Sequence, residues 1–418
     1  MVVSETLPSG LRLVTESMPH VRSVTVGVWL TRGSRHERAP ESGVAHFIEH
    51  MLFKGTTTRS AQQIAQTIDS IGGQLDAFTA KEFASYYLKV LDEHLPLAIE
   101  LLSDMLLRPA FAPDDVTREQ GVILEEIKMA EDAPDDLVHE MFAQQFWSRH
   151  PLGRPILGTP DTVSSFRSDG LREFFGRTYT APHLVVAAAG HLDHARLREQ
   201  VEAAFADVPA GAPAGSDERP ELTPGVVFRE KDIEQSHLVL GTPAYPQADE
   251  RRHASYVLNT ILGGSMSSRL FQHIREDRGL AYAVYSSLAA YSDAGMVTIY
   301  AGCAADKVAE VAGLALEELR ALRETPVPAD ELQRAKDHLK GSLMLSLENT
   351  ASRMSHLARQ EIYFGRHVTL DQTLADIDAV SADDVQQVSC DLFREGDLVA
   401  TVVGPAETTP LDAASLRM

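Results

Sequence analysis

Cysteine is nearly absent from this chain. Its 418 residues include two, Cys303 and Cys390, too few for a disulfide framework and suited to a reducing compartment. Two thiolates alone cannot make a zinc site, and both are read as buried free thiols. Basic residues are also short, with 38 Lys and Arg against 60 Asp and Glu, a net charge of −22. That imbalance argues against binding nucleic acid, whose phosphates attract basic surfaces. No run of about 18 apolar residues exists, so no membrane span is expected. The opening MVVSETLPSGLRLVTE lacks the basic and apolar regions of a secretory signal, and the simplest address is the cytoplasm. What is present is an ordinary globular balance, 44% hydrophobic and 23% charged, in a chain long enough for two or three domains.

The segment VPAGAPAGSDERP (208–220) has connector composition and no apolar period. It divides the chain into domains at 1–207 and 223–418, joined by a linker at 208–222. The halves look related. Leu107-Arg108 with Pro113 and Asp115 recurs as Leu322-Arg323 with Pro328 and Asp330, and the apolar run Leu184 to Gly190 recurs at Leu398 to Gly404. Ser23 to Gly27 faces Ser236 to Leu240, and all three matches lie 213 to 215 residues apart. Near-constant offsets point to a duplicated domain.

Each half reads as mixed α and β. Ser23 to Leu30 alternates, and Gln74–Thr79 and Ala84–Val90 read as a hairpin. Further strands are expected near 225–231, 236–241, 281–288, 295–302 and 397–403. Helical patterns fill 43–54, 61–71, 94–107, 113–130 and 137–147, then 307–323 and 329–364. The fold class is therefore α+β: two homologous domains, each a mostly antiparallel sheet packed with helices.

The most informative segment runs from Gly43 to Gly55, with Pro40 and Ser42 before it and Gly55 at its end as helix start and stop signals. Val44, Ile48, Met51 and Leu52 form its apolar face. His46, Glu49 and His50 fall at i, i+3 and i+4 on another face. Two imidazoles one turn apart can share a metal, while the carboxylate between them is free to act on a water there. Such a triplet arises by chance on the order of 0.1 times in a chain of this composition, and this order is a metalloprotease signature. A third protein ligand must come from elsewhere. The helical stretch from Pro113 offers Glu119 and Glu126, seven apart and on one face, but spacing alone leaves Glu125 and Glu126 in competition.

GSRHE (33–37), GVAHFIEHMLFKGT (43–56), GGQLDAFTAKE (72–82), VILEEI (122–127) and SSRLFQHIREDRGLAYAVYS (267–286) together resemble the pitrilysin family of zinc peptidases, most closely its mitochondrial processing peptidase branch and bacterial relatives. The resemblance spans nearly the whole chain. It implies one Zn2+ per chain and a third ligand 76 residues beyond the second histidine, which selects Glu126. It implies a helper role for Glu119, an Arg-Tyr pair at Arg275 and Tyr282 for substrate backbone and carbonyl, and a catalytic role for Glu49 as general base. Leu75, Asp76, Ala77, Phe78 and Thr79 would bind an extended peptide through their backbone. Asp76 stands where relatives often carry Asn, which a backbone contact tolerates. Asp136 and Glu140 match loosely the acids that bind a basic residue near the cleavage site, although acids at a helix start also suit the helix dipole.

With offsets of 213 and 215, His46, Glu49, His50 and Glu126 map to Asn259, Leu262, Gly263 and Gly341, so the second half carries no metal set. The resemblance further implies peptides or unstructured segments as substrates, with basic ones favoured, and a homodimer or a heterodimer with a related chain, since long family members carry four such domains. The competing readings are a non-catalytic subunit of the same fold and a peptide-binding scaffold. The complete ligand set favours the enzyme.

Overall fold

The computed structural model describes residues 2–212, 218–412 and 414–417. Two sheets organise it. The first contains β1 (Val2–Thr6), β2 (Arg12–Ser17), β3 (Ser23–Leu30), β4 (Gln74–Thr79), β5 (Ala84–Leu91) and β6 (Leu184–Gly190), in the order β1-β2-β6-β3-β5-β4. The second contains β7 (Gly225–Glu230), β8 (Ser236–Ala244), β9 (Ala281–Ala290), β10 (Gly295–Cys303) and β11 (Val399–Gly404), in the order β7-β11-β8-β10-β9. One pair in each sheet is parallel, β2 with β6 and β7 with β11, and the other pairs are antiparallel. Without β1, the two orders are the same, as a duplicated domain requires. The hairpin of β4 and β5 pairs Gln74 with Lys89 through Thr79 with Ala84.

The chain forms two compact units whose composition differs from the division expected at 208–222. One is drawn from described residues in Met1–Lys128, Arg154–Glu218 and Leu345–Val368; the other from those in Met129–Gly153, Arg219–Met344 and Thr369–Met418. Each unit thus takes a helix from the other half of the sequence. The cause is the second face of each sheet. In the first sheet β3 turns Val24, Val26, Val28 and Leu30 to one core, while Trp29 packs on its other face. That face is covered by the helix Thr350–Phe364, through Met354, Leu357 and Ala358. Trp29 Nε1 donates to Met354 Sδ at 3.1 Å, and the Thr25 and Thr350 hydroxyls meet at 2.9 Å. In the second unit the helix Pro134–Phe146 plays this part, packing Leu137, Val138, Phe142 and Phe146 against Val239, Tyr300, Val399 and Val403. Gly241 is required there, because a Cβ on it would lie 2.5 Å from the Phe142 ring. Leaving such faces in water would forgo roughly 1.5–3 kcal/mol for each large apolar side chain.

Two further expectations change. The pattern over 329–364 is not one helix but two, Ala329–Ser346 and Thr350–Phe364. Asn349 breaks it, its side chain accepting a hydrogen bond from Ala351 N–H at 2.8 Å as the cap of the second helix. Of the expected linker, residues 213–217 lie outside the described residues. Val208 is buried and Pro209 C=O accepts from Ala181 N–H at 2.9 Å, so the approach to them is anchored. Cys303 is buried as read, whereas Cys390 is exposed. No helix among the described residues is long and apolar enough to cross a membrane.

The helix exchange makes a test. Met354→Ala alters the second half of the sequence but should destabilise the first unit by about 2–5 kcal/mol. Trp29 fluorescence in a Trp147→Phe background should report a lower urea midpoint. An unchanged midpoint would contradict the packing of Met354 on the first sheet.

Candidate metal centre

The motif helix is short, Val44–Leu52, and most of it is buried. Its N-terminus is held by Glu37, a buried residue whose carboxylate accepts from the N–H groups of Gly43 and Ala45, each at 2.8 Å. These are donors that the helix cannot satisfy itself. Burial pushes the Glu37 carboxyl up to about 8, while the two N–H donors and the charges of Lys81 and Arg154 pull it down. Gly43 sits at φ +92, and a Cβ there would lie 2.6 Å from Leu157 O, so glycine is needed at this entry turn on both counts. Val44, Phe47, Ile48, Met51 and Leu52 anchor the helix in the core of the first unit.

That anchoring turns His46, Glu49 and His50 toward the helix Pro113–Asp132. His46 Nε2 and His50 Nε2 lie 3.8 and 3.7 Å from Glu126 Oε2. One ligand atom from each of the three lies within 4.8 Å of the others, and among the described residues no other His, Cys, Asp or Glu group is so arranged. Glu126 Oε2 is buried without a hydrogen-bond partner, a costly state unless something else satisfies it. Burial, and next the charge of His50, push His46 down to about 4, which keeps its imidazole neutral. Two imidazole nitrogens and one orphaned carboxylate oxygen match the donor set of a zinc site that keeps an open position.

Glu119 stands behind this set. It is buried, accepting from His50 Nδ1 at 2.8 Å through Oε1 and from Lys54 Nζ at 2.7 Å through Oε2. Burial raises its carboxyl, but those two donors and the Lys54 charge outweigh burial and hold it below the usual range. A carboxylate in this place suits a proton on His50 Nδ1, the arrangement that presents Nε2 to a metal. Glu125 points away, paired with Lys128 Nζ at 2.6 Å in an exposed position, so the helix itself separates the two adjacent glutamates. Glu49 is raised by burial, partly offset by a hydrogen bond from Thr79 Oγ1 to its Oε2 at 2.5 Å. A cavity of about 220 Å³ beside it is lined by His50, Phe53, Lys54, Asp76, Ala77 and Glu119 as well as Glu49.

β4 is an edge strand of its sheet, next to the motif helix. Leu75 and Ala77 pack on the core that holds that helix, and Thr79 reaches Glu49. Phe78 stands on the other face against Trp29, ring centroids 5.5 Å apart, and the Tyr87 hydroxyl donates to Asp76 at 3.0 Å. The Asp76 side chain is thus engaged within the sheet.

In the second unit, Arg275 sits in a π-wound turn, Phe271–Glu276, of a kind frequent at functional sites. Its guanidinium lies 4.7 Å from the Phe271 and Tyr282 ring centroids alike, so the Arg-Tyr pair is in contact. Tyr282 is 77% exposed on β9, an edge strand. Asp136 and Glu140 lie one turn apart on Pro134–Phe146, with Asp136 in its first turn, where the helix dipole favours acids. The positions equivalent to the metal set are Asn259 and Leu262 on Arg252–Leu262, Gly263 just after it, and Gly341 on Ala329–Ser346. Sequence reasoning missed the Glu37 cap, the Lys54 contact and the Thr79 hydrogen bond. Only the GSRHE match marked Glu37, without a role, and no spacing marked Lys54.

Comparison with known proteins agrees with this architecture. Residues 12–160 match the family described as Insulinase (Peptidase family M16), and residues 165–339 match the Peptidase M16 inactive domain. An uncharacterized zinc protease of Bacillus subtilis is 43% identical over 98% of this chain and 100% of its own. One of Streptomyces coelicolor is 44% identical over 96% of this chain and 89% of its own. Among solved structures, a protease from Helicobacter pylori superposes with a TM-score of 0.92 at 20% identity, covering 97% of this chain and 100% of that one. A peptidase M16 inactive domain from Pseudomonas fluorescens gives 0.90 at 22%, covering 98% and 100%. At these identities the likeness of the structures is one of fold.

The contacts of the centre separate its glutamates by experiment. Glu119→Gln should weaken zinc binding about 10–100-fold, the usual cost of losing an orienting partner. Glu126→Gln should weaken it further, and Glu125→Gln should leave it unchanged. Competition against a chromophoric chelator measures all three, and equal affinities for Glu125→Gln and Glu126→Gln would contradict the assignment.

Proposed function

We propose, from the premise that the chain belongs to the insulinase family of peptidases, that it is a zinc-dependent endopeptidase acting on peptides or unstructured polypeptide segments. The observation that carries this reading is the convergence of His46, His50 and Glu126, with Glu49 on the helix that carries both histidines, beside a free sheet edge. In this reading His46, His50 and Glu126 hold one zinc per chain. Bound zinc supplies a Lewis acid for the scissile carbonyl and lowers the pKa of its water.

The remaining chemistry belongs to the chain. Glu49 accepts the proton of the attacking water and delivers it to the leaving amine. Its partly buried position favours both halves of that role, since burial raises the proton affinity of the carboxylate. Glu119, held ionised by His50 and Lys54, keeps His50 in the ligating tautomer. The outer edge of β4 pairs with no further strand, so an extended peptide can add there along Leu75, Asp76, Ala77, Phe78 and Thr79, with the Ala77 N–H, now bonded to Asp76 Oδ1 at 2.8 Å, released to it. Folded substrates cannot present such a strand, which sets the substrate class. Arg275 and Tyr282 supply donors for substrate backbone and for the carbonyl oxygen, and Asp136 and Glu140 a subsite for a basic side chain. With a net charge of −22, basic peptides are favoured electrostatically.

Glu49→Gln should keep its zinc and its affinity for peptide but lose turnover by at least about 100-fold, the usual contribution of a general base. Near-normal turnover in that variant would refute the role. The chain is further proposed to work as a two-fold dimer. Light scattering across micromolar concentrations should give twice the chain mass, and a monomer of full specific activity would sink that part of the proposal.

A further inference from the structure

β4 ends on Thr79, and the next four residues turn the chain into β5. That turn is unusually well held. Ala80 N–H bonds to Phe83 C=O at 2.8 Å, Ser34 N–H to Ala80 C=O at 3.1 Å, and Arg35 N–H to Lys81 C=O at 2.8 Å. Gly33 permits this approach, since a Cβ on it would lie 2.2 Å from Ala80 O. Inside the turn, Arg35 Nη1 donates to Glu82 Oε1 at 2.6 Å with both side chains buried, and Tyr363 donates its hydroxyl to Glu82 Oε2 at 2.8 Å. A buried ion pair with a further donor is rigid, because breaking it strands a charge. Thr79 leaves this fixed turn with its hydroxyl on Glu49 Oε2 at 2.5 Å. No hydrogen bond from the described residues reaches Glu49 Oε1.

We propose that Thr79 is a positioning residue for Glu49: its side chain, rather than only its backbone, holds one carboxylate oxygen and leaves the other aimed at the water. A glutamate has three rotatable bonds, and a base that samples several rotamers spends part of its time out of reach of its proton. The hydroxyl removes that freedom. It donates to the charged carboxylate, so one oxygen is engaged while the other keeps its lone pairs for the incoming proton. Serine preserves the donor; valine keeps the shape and β propensity but has no donor. The role rests on the peptidase reading for its chemical consequence, but the geometry of Glu49 can be examined without it.

The test uses the full chain as wild type, Thr79→Val, Thr79→Ala and Thr79→Ser. Crystal structures of the zinc-free proteins should show one ordered Glu49 rotamer with an oxygen on the hydroxyl in the wild type and in Thr79→Ser. In Thr79→Val and Thr79→Ala that carboxylate should rotate away or occupy several conformers. With zinc bound, kcat for an unstructured peptide should fall about tenfold or more in the valine and alanine variants. KM should stay within about twofold and zinc content should not change, while Thr79→Ser should recover most of kcat. Should valine prevent folding, the alanine variant carries the comparison. The proposal is overturned by an unmoved Glu49 carboxylate in Thr79→Ala, by full kcat without the hydroxyl, by a rise in KM alone, or by loss of zinc. A wild-type protein that binds zinc and cleaves no peptide would count against the peptidase reading, while the Glu49 rotamers would still decide the role of Thr79.

Discussion

A helix of nine residues does not persist on its own in water, and the candidate centre stands on one. Val44–Leu52 exists because Glu37 satisfies two of its free N–H groups and because one face of it is sunk in the core. The positions of His46, Glu49 and His50 follow from that constraint. Were the helix to fray at its first turn, His46 would lose its place and the pair of imidazoles with it. Glu37 touches no proposed ligand, and its influence passes through the backbone that it caps.

The second constraint is that a sheet has two faces. Each sheet buries one against helices of its own half of the sequence and the other against a helix from the opposite half. The exchange reaches the centre directly. The helix Thr350–Phe364 contributes Tyr363, whose hydroxyl braces Glu82 in the turn that carries Thr79 to Glu49. A residue more than 300 positions from Glu49 in sequence thus braces the turn whose Thr79 hydroxyl reaches it.

Local signals make much of this legible in the amino-acid sequence alone. The motif helix is readable because i, i+3 and i+4 are neighbours on any helix. The alternation of β3, the β4–β5 hairpin and the repeat offsets are readable for the same reason. Contacts that depend on distant packing are not. Spacing cannot choose between Glu125 and Glu126, which are adjacent; the resemblance favours Glu126, and the rotation of the helix puts Glu125 on Lys128. Hydrophobic periodicity shows that a helix has an apolar face but not which sheet receives it, so a division at 208–222 passes over the exchanged helices. The break at Asn349 is hidden by a pattern that runs on through it, and Asn349 itself, as a capping residue, is the one available cue. Lys54 and Thr79 act across elements, where only the folded chain brings donor and carboxylate together.

The central claim is that His46, His50 and Glu126 hold a single metal beside a base poised for hydrolysis. An anomalous difference map collected at the zinc absorption edge, from crystals grown with zinc, examines it most directly. The account predicts one peak per chain, at about 2.0–2.2 Å from His46 Nε2, His50 Nε2 and a Glu126 oxygen. A peak at other residues, or none at these three after equilibration with zinc, would contradict it.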